Sequence, residues 1–170
     1  MADGAVGFER KFSGQFVGRV FAEVEGALAQ SLLRAGIDVK APREEISVEQ
    51  FAQGLSLYSR SRFPELSVSE GMRRVGFETV RRSKGKYDGK TLDEALSISA
   101  SALSRVGPFL EPQVHAHGER HYVAHFDDVA YLHTFFLGLL EGVTSSTQPN
   151  VKVKWSPEGL SGARYDVTFS

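Results

Sequence analysis

Two stretches near the C-terminus constrain this chain more than any other feature. Asn150-Val-Lys-Val-Lys-Trp155 and Tyr165-Asp-Val-Thr-Phe169 alternate apolar and polar residues without a break. Successive side chains of a strand point to opposite faces, so each run has one dry and one wet side. Val151, Val153 and Trp155 belong on the dry side together with Tyr165, Val167 and Phe169. Lys152 and Lys154 can share the wet side with Asp166 and Thr168, depending on register. A turn around Pro157-Glu-Gly159 joins the two runs. Upstream, Gln113-Val-His-Ala-His117 and Arg120-His-Tyr-Val-Ala-His-Phe126 flank Gly118-Glu119, which reads as a hairpin with a type II′ turn. Between the two strand pairs, Asp127 or Asp128 caps an apolar helix that runs to about Val143.

The preceding half is helical. Ser47-Val-Glu-Gln50, Ser67-Val-Ser-Glu70 and Thr91-Leu-Asp-Glu94 are capping boxes, in which a hydroxyl accepts from a free N–H of the first turn while the Glu or Gln reaches back. Each opens an apolar stripe at helical spacing. The stripes are Val48, Phe51, Leu55 and Tyr58, then Met72, Val75, Thr79 and Val80, then Leu92, Ala95, Leu96, Ala102, Leu103 and Val106. An earlier helix is expected over about Glu23–Ala35 with Gly36 at its C′ position, followed by a loop over Asp38–Ile46. Phe8, Phe12, Phe16 and Phe21 have helical spacing, but Gly14 and Gly18 leave that segment's type open. Segregated helices and strands predict an α+β domain over residues 1–170. N-terminal helices pack with an antiparallel sheet, and a strand-helix-strand-strand unit closes the chain.

Composition removes several function classes. The 170 residues include no cysteine, which excludes disulfides, thiolate metal sites and cysteine nucleophiles and suits a reducing, cytoplasmic setting. The first residues lack the charged and apolar regions of a signal peptide, and Val129–Val143 is too short and too interrupted to span a bilayer. A net charge of −1 gives no global attraction to nucleic acid. No Gly-x-Ser-x-Gly elbow or glycine-rich phosphate loop is present.

Phe135-Phe-Leu-Gly-Leu-Leu-Glu-Gly142, the two alternating runs, Ile46-Ser-Val-Glu-Gln-Phe51, Phe63-Pro-Glu-Leu66 and Glu70-Gly-Met-Arg-Arg-Val-Gly76 together resemble the domain of unknown function numbered 2378, expanded as paralogues in myxobacteria. The closing element order is also similar to heme-dependent nitric-oxide sensors, four-vinyl-reductase domains and TRAPP vesicle-tethering subunits. The resemblance implies a module that binds a ligand or a protein, with no reaction attached. It does not extend to the Tyr-x-Ser-x-Arg heme clamp. The nearest text, Tyr58-Ser-Arg-Ser-Arg62, has Arg60 at the serine position, so no cofactor is expected.

Three residue groups are candidates for function. Tyr131, Phe135, Gly138 and Gly142 form one helical stripe with Phe136 and Leu139 beside it. With Trp155 they form the expected surface for a small apolar ligand, a protein partner or a second copy of the chain. The plainer reading is tight packing of that helix on the sheet. Arg73, Arg74, Arg81, Arg82, Lys84 and Lys86 form the alternative, a site for a nucleotide or phospholipid, against the plain reading of a solvated face balanced by Glu70, Glu78 and Asp88. Five histidines complete the set: His115, His117, His121, His125 and His133. On the hairpin above, the first two face away from the next two, so no shared metal site is expected unless the pairing differs. No catalytic residue is assigned, and His133 is the first base to test.

Overall fold

The computed structural model describes residues 11–14, 17, 26–82, 85–103, 113–126, 132–160 and 162–170. A short pair of strands comes first, β1 (Lys11–Ser13) and β2 (Glu45–Ser47), running antiparallel with Phe12 opposite Ile46. This pair was not expected, since residues 38–46 read as loop. Three residues per strand are too few for alternation to register, and the sheet is recognisable only from the pairing of segments about thirty residues apart.

Helix α1 (Gly26–Arg34) ends where the spacing predicts, with Gly36 at φ 90° and the Ile37 N–H donating back to Leu32 O. Helices α2 (Val48–Arg62), α3 (Val68–Arg82) and α4 (Leu92–Leu103) each begin one residue after the predicted cap. Ser47 Oγ accepts from Gln50 N, Ser67 Oγ from Glu70 N and Thr91 Oγ1 from Glu94 N. Only the Thr91 box is reciprocal, with Thr91 N–H donating to Glu94 Oε2 at 2.8 Å. Those contacts to Thr91 hold the Glu94 carboxyl below the ordinary carboxylate range. In the second box Glu70 instead takes Arg73.

The four-stranded sheet has the order β3 (Gln113–Ala116), β4 (His121–Phe126), β6 (Gly162–Phe169) and β5 (Val151–Glu158), antiparallel throughout. Helix α5 (His133–Ser145) lies between β4 and β5 in sequence. The α+β class and the closing strand-helix-strand-strand order are therefore those the sequence predicts. Asp127 and Asp128, the proposed caps of α5, and Val24, Phe8, Phe16, Phe21 and Val106 lie outside the described residues.

Register settles which side chains share a face. Val151 pairs with Phe169, Val153 with Val167 and Trp155 with Tyr165, so all six predicted dry residues are on one side. Tyr165 and Val167 are fully buried at the sheet's centre, whereas the edge strand β5 leaves Trp155 at 36% exposure. Lys152 stands opposite Thr168 and Lys154 opposite Asp166 on the wet side. The β3–β4 hairpin differs from expectation. His115 pairs with Val123 and the His117 N–H donates to His121 O, which makes the loop Gly118-Glu119-Arg120 with Gly118 at φ 124°. A three-residue loop shifts the pairing by one, and a one-residue shift exchanges faces. His115, His117, His121 and His125 therefore all project from the wet face, correcting the opposed arrangement read from a two-residue turn.

The main core fills the space between helices and sheet with aromatic rings. Phe126 stacks on Phe136 (5.4 Å) and meets Tyr165 edge-on (5.2 Å), while Phe135 meets Phe51 edge-on (6.0 Å).

Candidate functional site

Helix α5 has three distinct sides, and each meets a different neighbour. Phe135 and Phe136 are buried in the core just described. Gly138 and Gly142 face α3 rather than the sheet. A Cβ on Gly138 would run into Arg73 O and stand 2.9 Å from Phe77 N, and one on Gly142 would stand 2.8 Å from Val80 Cβ. Gly76 of α3 is notched in return, because its Cβ would run into Phe135 O and stand 3.0 Å from Leu139 N. Reciprocal glycines let the two backbones touch, and this is the most extensive contact between any two helices described. Arg73 closes the crossing, donating from Nε and Nη2 to the two carboxylate oxygens of Glu141 at 2.8 and 2.6 Å.

The start of α5 is its third side. His133 and Thr134 help to line a cavity of about 430 Å³. Glu49, Ala52, Gln53 and Ser56 form another wall, lying on one face of α2 at helical spacing. The first turns of α3 supply Val68, Ser69 and Met72. Buried Ala52 and Met72 make an apolar floor, and the polar side chains stand around it. His133 is fixed from two directions: its ring lies 4.4 Å from that of Trp155, and its carbonyl accepts from Tyr165 Oη at 2.7 Å. Burial pushes the His133 imidazole below its ordinary value, so at neutral pH it offers one N–H and one lone pair without charge. Burial likewise pushes the Tyr165 phenol up, which keeps its O–H available to donate.

The residues singled out from sequence are dispersed by this geometry. Phe135 and Phe136 are core, Gly138 and Gly142 are covered by α3, and Leu139 is half-buried beside a second small cluster of Val80, Tyr87, Ala95 and Val143. Tyr131 lies outside the described residues. Trp155 alone of that set stands partly exposed next to the cavity, through its contact with His133. The cavity walls on α2 and α3 were not foreseen. One available signal was the run of Ala52, Gln53 and Ser56 beside the apolar stripe of α2, where small and neutral residues leave room that large ones would fill.

The basic cluster does not converge on one point among the described residues. Arg73 is engaged by Glu141 and Glu70, and Arg82 lies 3.8 Å from Glu78. Arg74 sits over Phe63, Arg81 over Phe77 and Lys86 over Tyr87, each at under 6 Å from the ring centre. Lys84 lies outside the described residues.

On the opposite, wet face of the sheet the four hairpin imidazoles form two pairs. His117 and His121 have ring centres 5.2 Å apart, and His115 and His125 6.3 Å. His121 Nε2 is 2.8 Å from Asp166 Oδ1, and His125 Nδ1 is 2.8 Å from Glu158 Oε2. The Arg164 guanidinium bonds both oxygens of Asp166 and, with His121, holds that carboxyl below its ordinary range.

With the site's geometry in place, comparison with known proteins gives a consistent fold. The family described as "Protein of unknown function (DUF2378)" matches residues 5–170. No curated protein sequence matches the chain. Among solved structures, a mutant H-NOX from T. tengcongensis is similar at TM-score 0.65 and 18% identity, over 93% of this chain and 97% of that one. A structure from work on the mechanism of H-NOX activation is similar at TM-score 0.66 and 15% identity, over 92% and 94%. An oxygen-binding H-NOX domain related to soluble guanylate cyclases is similar at TM-score 0.62 and 16% identity, over 91% and 92%. At these identities the likeness shows a shared fold. No described helix is long and apolar enough to cross a membrane.

Proposed function

We propose that this chain, which belongs to the DUF2378 family, is a ligand-binding sensor domain that takes a small, mostly apolar molecule in the cleft between α2, α3 and the start of α5. The observation that carries the reading is the cavity itself. Its volume falls within the range of about 300–1,000 Å³ usual for small-molecule sites, and it combines an apolar floor with a few polar groups at the rim. Uncharged His133, with Gln53, Ser56, Ser69 and Thr134, can orient a hydroxyl or carbonyl on such a ligand. The position suits a sensor, because three helices meet there and an occupant bears on all of them.

Heme, the cofactor of the heme-dependent sensors that share this fold, does not suit the residues described. His133 and Met72 are donor types that can hold heme iron. A macrocycle carrying two carboxylates also needs cations, and the lining provides Glu49 and neutral groups. Tyr58, at the start of the only clamp-like text, is buried in the core, and Arg62 lies over the Phe63 ring. The space between helices and sheet is taken by Phe51, Phe126, Phe135 and Phe136.

We read the domain as a binding module rather than an enzyme. His133, the base offered by the sequence, stacks on Trp155, and among the described residues no carboxylate is hydrogen-bonded to it. A cytoplasmic location and a protein partner or second copy that receives the signal belong to the same reading. The test is direct. An apolar fluorescent probe titrated into the full chain should bind and alter Trp155 emission, while Ser56→Trp, which fills the cleft from a half-buried position, should weaken binding at least tenfold with the melting temperature retained. Equal binding to both proteins would refute the site.

A further inference from the structure

The wet face of the sheet carries chemistry that the cleft does not use. Solvated faces normally carry lysine, glutamate and threonine, and Lys152, Lys154 and Thr168 fill that role here. Four imidazoles on one hairpin are a different composition, and its three-residue loop is what brings them to one side.

We propose that His117 and His121 form a site for a divalent transition-metal ion of the zinc class. Three observations converge on this pair. Two imidazoles bound at about 2.0–2.1 Å to one tetrahedral ion have ring centres about 5 Å apart, and these rings are separated by 5.2 Å. The backbone holds them in place, since the His117 N–H donates to His121 O at 2.7 Å beside the turn. Finally, His121 already has the partner that a metal-binding histidine uses. Asp166 is ionised, bonded by Arg164, and can only accept a hydrogen bond, so the proton of a neutral His121 sits on Nε2 and its lone pair is on Nδ1. A carboxylate behind a histidine fixes the tautomer and raises the basicity of the ligating nitrogen. Asp166 is thus a positioning residue, and Arg164 positions Asp166.

His115 and His125 repeat the construction with Glu158 behind His125, but their rings are 6.3 Å apart and Glu158 is half-exposed at the sheet's edge. The first pair is therefore the site. No group of three or more histidine or acidic side chains among the described residues is placed to hold an ion, so solvent completes the shell and the ion is exchangeable. A shell open to solvent also leaves room for a ligand atom from a second molecule.

The proposal is tested on the full chain with any affinity tag removed, by titrating Zn²⁺ calorimetrically at neutral pH. One ion should bind per chain. His117→Ala, at an exposed turn position, and His121→Ala should each weaken binding at least tenfold. Asp166→Asn, which removes no ligand atom, should weaken it about tenfold. Absence of binding overturns the proposal. So does binding as tight in the His117→Ala/His121→Ala double variant as in wild type, which marks an adventitious ion, or binding lost instead with His115→Ala and His125→Ala.

Discussion

Replacing Gly138 by alanine tests the contact on which the arrangement of α3 and α5 depends. The new methyl group would run into Arg73 O and lie 2.9 Å from Phe77 N. Both are backbone atoms of α3, held by that helix's own hydrogen bonds, so no change of rotamer relieves the overlap. Overfilling a packed interior costs about 1–3 kcal/mol, and the upper end applies where the neighbours are fixed. Alanine recovers about 1 kcal/mol of helix propensity over glycine. The net loss is therefore about 2 kcal/mol, or a fall in Tm of about 4–8 °C for a chain of this size. Two other glycines calibrate the measurement. Gly142→Ala meets Val80 Cβ at 2.8 Å and Phe77 O at 3.1 Å, a milder overlap than at Gly138, and should cost less. Gly26→Ala, with nothing within 4 Å, should leave Tm unchanged or slightly raised. Thermal unfolding followed by far-ultraviolet circular dichroism orders the three. The reasoning fails if Gly138→Ala melts with Gly26→Ala, because two helices in backbone contact cannot accommodate that methyl group for free.

Other variants probe the remaining contacts of α5. Tyr165→Phe leaves the His133 carbonyl without its donor and should cost about 1–2 kcal/mol by chemical denaturation; an unchanged midpoint would show that the hydrogen bond is replaced by water. Glu141→Gln weakens the two-pronged bond from Arg73 and should cost about 1 kcal/mol, with a smaller loss in high salt; equal losses at low and high salt would count against an ionic contribution. For His133 the folded state holds the imidazole below its ordinary pKa, so the unfolded chain takes up the proton first. Its contribution to stability is complete above about pH 6.5 and is lost as pH falls through the folded value. His133→Gln should flatten that part of the stability–pH curve, and an unaltered slope would assign it to another group.

The legible parts of this chain were those set by local rules. Capping boxes fixed the starts of α2, α3 and α4 to the residue, because a hydroxyl one position before a helix has few other uses. Strict alternation fixed the faces of β5 and β6, because a one-residue slip would put Lys152 and Lys154 in the core. The Gly-x-x-x-Gly spacing was visible too, but spacing says only that something approaches, and α3 rather than the sheet occupies the notch. The hairpin turned on one residue of loop length, which composition does not encode, and that residue decided where four histidines point. The cleft was barely legible, its one trace being Ala52, Gln53 and Ser56 beside the apolar stripe of α2. Its walls come from three helices, and a cavity is defined by where side chains end, which no single segment records.

The two sides of α5 together say which element can answer a ligand in the cleft. Toward α3 the helix is locked by backbone contact at Gly76 and Gly138 and by the Arg73–Glu141 bond, so the pair moves as one body or not at all. Toward the sheet it is held by stacked rings and by the Tyr165 hydrogen bond, which fix its N-terminal turn. Against α2 the α5 contact described is the edge of Phe51 on Phe135, a directional but unbonded interaction that can slide without breaking a hydrogen bond. Packed interiors shift between discrete arrangements instead of deforming smoothly, and movement falls where the interface is softest. An occupant wedged among Ala52, Ser56, Met72 and His133 bears on α2, which joins the β2 strand directly at Ser47 and, through the β1–β2 ladder, the first strand described.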